Sequence, residues 1–232
     1  MIETLAGSRR NAGPVEDNGF FTFDSGGSGE VITPTYVFSE GTKFDTIPTI
    51  DGASFEIKGT EEKLTIQFSK TVNLGTNWTL EWSSYAKENL SNYYAEINML
   101  PALDGLPGVT ARYGDAGFGN RLQVGGSMVT LQSIYNTRFN RALNFEVLRR
   151  YAMVCNNGNV TFYVDGVREN FAIGTSYDYS TTSFQVDSDL SAIGRIIVGR
   201  SSAGGYSTAS RRGPVRLSNF ARYTSNYTPQ PF

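Results

Sequence analysis

Apolar residues recur at every second position along much of this chain. Leu64, Ile66 and Phe68 alternate with Lys63, Thr65, Gln67 and Ser69, and Trp78, Leu80 and Trp82 alternate with Thr79, Glu81 and Ser83. A period of two belongs to an extended strand with one face in a core and the other toward solvent. Val160, Phe162 and Val164 repeat it between Asn156-Asn157-Gly158 and Asp165-Gly166, residues that suit tight turns needing positive φ, so this stretch reads as a β-meander. The same reasoning predicts strands around 54–57, 94–99, 108–113, 121–124, 128–131, 145–147, 195–199 and 215–220. No segment carries a long helical stripe. The pattern therefore predicts an all-β chain, two antiparallel sheets packed as a sandwich with Greek-key connections.

The N-terminus departs from this pattern. Residues 1–19 are poor in large apolar side chains and lack periodicity; Phe20, Phe21 and Phe23 follow, then the flexible Gly26-Gly27-Ser28-Gly29. The expected division is an arm and link over 1–30 and a sandwich domain over 31–232. Two readings of the phenylalanines stand: an edge strand added to the sandwich, or an aromatic anchor that inserts into a neighbouring subunit, with Arg9 and Arg10 facing an acidic surface.

At 232 residues and 25.4 kDa the chain has room for one large domain and a short extra segment. No stretch approaches the ~20 apolar residues that span a bilayer, and the first residues lack the apolar run of a signal peptide, so no membrane partner is expected and the chain is expected to stay in a cytoplasm until assembly or lysis. The net charge of −2 weighs against a nucleic-acid binder. The charge is lopsided: residues 1–116 hold 8 basic and 16 acidic side chains, residues 117–232 hold 12 and 6. Where the fold keeps the two halves apart, that asymmetry favours head-to-tail packing against copies or a partner. The single cysteine, Cys155, falls in an apolar strand pattern and reads as a buried thiol.

The chain has no histidine, which excludes Ser-His-Asp and Cys-His catalysis and His-based zinc sites. Paired carboxylates are the remaining route to hydrolysis. Glu56, Glu81 and Glu96 stand singly on separate strands at outward positions and read as solvated sheet surface, while Asp187-Ser188-Asp189 reads as a loop. No catalytic residue is expected.

Four further segments carry a resemblance. Tyr151, Tyr163-Val164-Asp165-Gly166, Ile197-Val198-Gly199, and Ala221-Arg222-Tyr223-Thr224 with Tyr227-Thr228-Pro229 resemble the signature of laminin-G-like, concanavalin A-like jelly-roll domains of phage virion and bacterial surface proteins. The likeness runs from about Phe38 to the C-terminus. It implies a jelly-roll sandwich in a non-enzymatic virion protein, assembled in the host cytoplasm: a capsid decoration or accessory subunit held by its arm against other capsid or tail proteins. A homo-oligomer, such as a trimer, is implied with it. The alternative is a tail-associated receptor-binding or lectin-like protein that binds host glycans.

The family also implies calcium at the loop rim, for which Asp104, Asp115 and Asn120 are the candidates; turn formation explains each equally well, and no cofactor is otherwise expected. For glycan or subunit contact the candidates are Tyr93, Tyr94, Tyr113, Tyr177, Tyr179 and Tyr206, with Arg200, Arg211 and Arg212 beside the Gly/Ser-rich loops.

Overall fold

Trp78, Leu80 and Trp82 are at most 1% exposed and line one face of their strand, as their alternation requires. The computed structural model describes residues 19–39, 42–45, 52–57, 62–86, 94–102, 108–113, 121–125, 137–139, 147–173, 180–186, 190–199 and 210–232. Sixteen strands follow one another in these residues: β1 (Phe21–Asp24), β2 (Pro34–Phe38), β3 (Phe55–Ile57), β4 (Lys63–Val72), β5 (Trp78–Ala86), β6 (Tyr94–Pro101), β7 (Gly108–Tyr113), β8 (Arg121–Gly125), β9 (Thr137–Phe139), β10 (Leu148–Asn156), β11 (Asn159–Val164), β12 (Val167–Arg168), β13 (Phe171–Ile173), β14 (Phe184–Gln185), β15 (Ile193–Gly199) and β16 (Ser210–Ser218).

They form two sheets. The first runs β1-β16-β5-β10-β11-β12, with β14 beside β11 and β3 beside β16; the second runs β13-β9-β8-β7-β6-β15-β4-β2. Among the described residues every pairing is antiparallel except β1 on β16. Strands far apart in sequence lie side by side, β16 on β5 and β15 between β4 and β6, which is the interleaving of a jelly roll.

The meander Tyr151 to Val164 turns at Asn157 (φ 49) and Gly158 (φ 76), and continues through Asp165 (φ 51) and Gly166 (φ 78) into β12. Between the sheets lies one apolar core. It takes Ile66 from β4, Leu80 from β5, Ile97 from β6, Met153 from β10, Phe162 from β11, Ile196 from β15 and Leu217 from β16.

Of the two readings of Phe20 to Phe23, the structure has the first. β1 adds a parallel edge strand, Phe21 opposite Val215, and Phe20 and Phe21 are 0% and 4% exposed. The Phe20 ring packs against Phe44 and Phe55 at 5.2 and 5.6 Å, and Phe23 packs on the same core. Buried rings of this kind stabilise their own domain by about 1.5–3 kcal/mol each and are not exposed anchors, so the expected role of Phe20, Phe21 and Phe23 in holding a partner is corrected. The sandwich accordingly begins near Gly19, ahead of the expected boundary at 31. Arg9 and Arg10 lie outside the described residues.

Two other expectations change. β16 starts at Ser210, five residues before the expected strand, because the ladder continues through a register shift between Arg212 and Val215 that accommodates Gly213-Pro214. A Cβ on Gly213 would lie 2.0 Å from Ser83 Oγ, so a larger residue there would force that hydroxyl to turn away. Of the strand expected over 145–147 only Val147 is described, and it lies outside β10, which starts at Leu148. The strand expected over 128–131 lies outside the described residues.

Candidate functional site

The C-terminal tail is the first structured feature on the outer pleat of the first sheet. Tyr163 points away from the core and is fully buried with Ala152 and Val154 under Ala221, Tyr223 and Tyr227. Tyr223 and Tyr227 stack with ring centroids 3.5 Å apart, and both meet Tyr163 edge-on, at 6.3 and 5.5 Å. The turn after β11 holds the other side of the tail, where Tyr227 N donates to Gly166 O (2.9 Å) and Arg168 N donates to Asn226 Oδ1 (2.9 Å). The Tyr-Val-Asp-Gly turn and the Arg-Tyr-Thr tail therefore recur as two halves of one clasp.

Glu81 lies at its centre. Arg216 on the neighbouring strand donates through Nε and Nη2 to Glu81 Oε2 and Oε1 (2.7 and 2.9 Å), Tyr223 OH donates to Oε1 (2.8 Å), and Arg222 Nε lies 3.3 Å from Oε2. Glu81 is 4% exposed, which corrects its expected place on a solvated surface. Both of its oxygens are held by the Arg216 guanidinium, and Oε1 by the Tyr223 phenol as well. Arg222 also pairs with Asp24, and the Gly26 N–H, with Arg222, lowers the Asp24 carboxyl below its ordinary value.

A different chemistry gathers at one end of the sandwich. β5 and β7 finish there, and β6, β8, β10 and β16 begin there. Gly199 ties the two sheets together, since a Cβ on it would lie 2.8 Å from Ile57 Cδ1. On the first sheet the inward row Tyr151, Trp82 and Val215 gives way, two residues on along β10 and β5 and three along β16, to Arg149, Ser84 and Arg212. Arg212 is 1% exposed and donates from Nη1 to Ser84 Oγ (2.8 Å). Arg149 pairs with Asp165, which also accepts from Arg150 N (2.9 Å). On the second sheet, Tyr94 and Tyr113 are direct register partners.

Of the residues singled out from sequence, Tyr94, Tyr113, Arg211 and Arg212 share this end. Arg211 is not free: its Nε lies 3.3 Å from Asp45 Oδ2, and Ser54 Oγ donates to the same carboxylate. Tyr93, Tyr177, Tyr179, Tyr206, Arg200, Asp104, Asp115, Asn120 and Asp187-Ser188-Asp189 lie outside the described residues. Among the described residues no group of three or more acidic, cysteine or histidine side chains could hold a metal, and no helix is long and apolar enough to cross a membrane. Sequence reasoning missed Arg149 and Ser84, and set Arg212 beside a loop where the structure has it buried in β16, facing inward. An arginine next to a strand start reads as a loop residue, and only strand register places it between the sheets. Chemically, Arg149, Ser84 and Arg212 bring guanidinium groups and a hydroxyl to this end of the first sheet.

No protein-family profile and no curated protein sequence matches the chain. Solved structures do. The chain is similar to Trypanosoma rangeli sialidase, at 12% identity and a TM-score of 0.54, over 82% of this chain and 28% of the sialidase. The same sialidase in complex with sialic acid gives 11% identity and 0.52, over 82% and 28%. A carbohydrate-binding module of Bacillus subtilis aligns more loosely, at 14% identity and 0.41, over 78% of this chain and 94% of the module, and carries no weight here. The chain thus spans just over a quarter of the sialidases it matches, and at such identities the likeness is one of fold. By fold, the chain is a two-sheet jelly-roll sandwich of the concanavalin-like kind.

Proposed function

We propose that this chain is a non-catalytic, glycan-binding β-sandwich of a virion, a receptor-contacting or accessory subunit whose ligand site is the end of the sandwich that carries Tyr94 and Tyr113. The observation that carries the reading is their register pairing, opposite a sheet whose inward row turns from Trp82 and Tyr151 to Arg149, Ser84 and Arg212. Aromatic faces take the apolar side of a sugar ring, and guanidinium and hydroxyl groups take its oxygens. The shared fold with part of a sialidase that has been solved with sialic acid bound supports the scaffold, not the ligand. The virion setting, with other capsid or tail proteins as partners and self-association into an oligomer, rests on the sequence resemblance of the tail clasp. The arm in this proposal is the stretch before Gly19, because the phenylalanines after it belong to the core.

A glycan array followed by calorimetry tests the site. Binding of a defined glycan is expected, weakened about tenfold in Tyr113→Ala, the size of one lost stacking contact of ~1.4 kcal/mol. An array with no binder overturns the reading, and unchanged affinity in Tyr113→Ala moves the site elsewhere. Co-sedimentation with particles lacking the protein tests the setting: the full chain is expected to bind and a chain starting at Gly19 is not.

A further inference from the structure

Tyr223 and Tyr227 stand four residues apart on the C-terminal tail, and their rings lie face to face, centroids 3.5 Å apart and planes 4° from parallel. Aromatic pairs ordinarily settle edge-on or offset, with centroids about 4.5–7 Å apart. The other ring pairs among the described residues keep to this, at 4.8 Å or more. The tail contacts hold the exception in place. The Tyr223 hydroxyl donates to Glu81 Oε1 (2.8 Å), and the Tyr227 backbone N–H donates to Gly166 O (2.9 Å). Between the two, Thr224 O and Asn226 Oδ1 both accept from Arg168. Both tyrosines remain partly exposed to solvent.

Two phenols held this way are prepared for one chemical step. A one-electron oxidant takes an electron from Tyr223; the oxidised phenol is a strong acid, and Glu81 Oε1, which already accepts its hydrogen bond, receives the proton. A second equivalent of oxidant takes an electron from Tyr227, whose proton goes to water. Each phenoxyl radical carries spin on the ring carbons beside its oxygen, and a bond between two such carbons forms perpendicular to both ring planes. These rings already face each other along that direction, near the separation of about 3–3.5 Å at which bound reactants are poised. The two unpaired electrons become one carbon–carbon bond, and the hydrogens on the joined carbons leave as protons while both oxygens are reprotonated. The balance is two phenols to one biphenol, with two electrons passed to the oxidant and two protons to solvent. Tyr163 meets both rings edge-on and is fully buried, so its carbons do not face theirs.

We propose that Tyr223 and Tyr227 are a site of oxidative modification, joined by a one-electron oxidant as an intramolecular dityrosine. The new bond closes a ring through Thr224, Ser225 and Asn226 and so fixes the two acceptors that hold Arg168, which makes the clasp covalent on its tail side. The proposal is independent of the glycan reading.

The test exposes the full chain to a photo-generated ruthenium(III) complex, isolates the monomer and reads its tryptic digest by mass spectrometry. Cleavage after Arg222 releases residues 223–232 as one peptide that carries both rings. That peptide is expected to be lighter by two hydrogens, to fluoresce as dityrosine and to give no fragments from the bonds between 223 and 227. The folded chain is expected to yield about tenfold more of it than the chain unfolded in urea, because only the fold holds the rings face to face. Tyr227→Phe, which keeps the ring but has no phenol to oxidise, is expected to yield none. A tail peptide of unchanged mass overturns the proposal, as do equal yields from folded and unfolded chain or a product made mainly of cross-links between chains.

Discussion

Glu81 and Arg216 sit directly opposite each other on β5 and β16 and form a two-point ion pair on the outside of the sheet, under the C-terminal tail. The side chains are 5% and 16% exposed, so the pair is nearly dehydrated, and Arg222 and Tyr223 complete the shell around the carboxylate. Removing one member strands the other. Glu81→Ala is expected to destabilise the fold by about 3–5 kcal/mol, whereas replacing both residues by apolar side chains of similar volume is expected to cost far less. Urea unfolding of the two singles and the double settles it; a single Glu81→Ala within ~1 kcal/mol of the parent would show that the clasp does not depend on the pair.

Gly166 meets the tail more closely than any side chain would allow. Its φ is +78°, and a Cβ there would lie 1.9 Å from Tyr227 O and 2.8 Å from Pro229 Cδ. Gly166→Ala is therefore expected to lift the tail and expose the tyrosine stack, costing more than ~1 kcal/mol from backbone strain alone. Limited proteolysis reads the outcome directly, as faster cleavage after Arg222 in the variant. Equal cleavage rates would mean that the tail is not held at this turn.

The core was legible from sequence and the clasp was not, for the same physical reason. Trp78, Leu80 and Trp82 announce a buried face because strand period is a local property. Glu81, between them, looks equally like a solvated residue, and what covers it arrives 135 residues later with Arg216. Phe20 and Phe21 posed a related difficulty: three phenylalanines beside a glycine link are an edge strand or an anchor according to whether a partner strand exists, and that partner is β16. The start of β16 was hidden by Pro214, which argues locally against a strand although the ladder resumes beyond it. At the candidate site, the pairing of Tyr94 with Tyr113 is a fact of register, which alternation alone does not fix.

Cys155 is expected to be chemically silent in the folded protein. Burial pushes its thiol up to about 11, and Sγ donates to Thr76 O (3.1 Å). The thiolate is the reactive form, so at neutral pH a thiol reagent should label the native chain only as fast as it unfolds. Labelling in urea is expected to be complete, with one equivalent per chain; rapid labelling without denaturant would place Cys155 at the surface.

Alkaline pH is expected to loosen the clasp. Burial, then the neighbouring Tyr223 and Glu81, hold the Tyr227 phenol far above its ordinary value of 10.0, and burial followed by Glu81 raises Tyr223 in the same direction. In the unfolded chain both phenols ionise near ~10. A group that keeps its proton more tightly folded than unfolded contributes its full stabilisation below the unfolded pKa and loses it as pH climbs toward the folded one. Stability should therefore hold steady up to about pH 9 and fall from about pH 10 upward. Tyr227→Phe has no proton to lose at that position, so its fall should be shallower, although its stability at neutral pH is close to the parent's because the ring and its stacking are kept. Urea midpoints measured from pH 7 to 11 distinguish the cases: parallel curves for parent and variant would mean that the tail tyrosines do not control the alkaline transition.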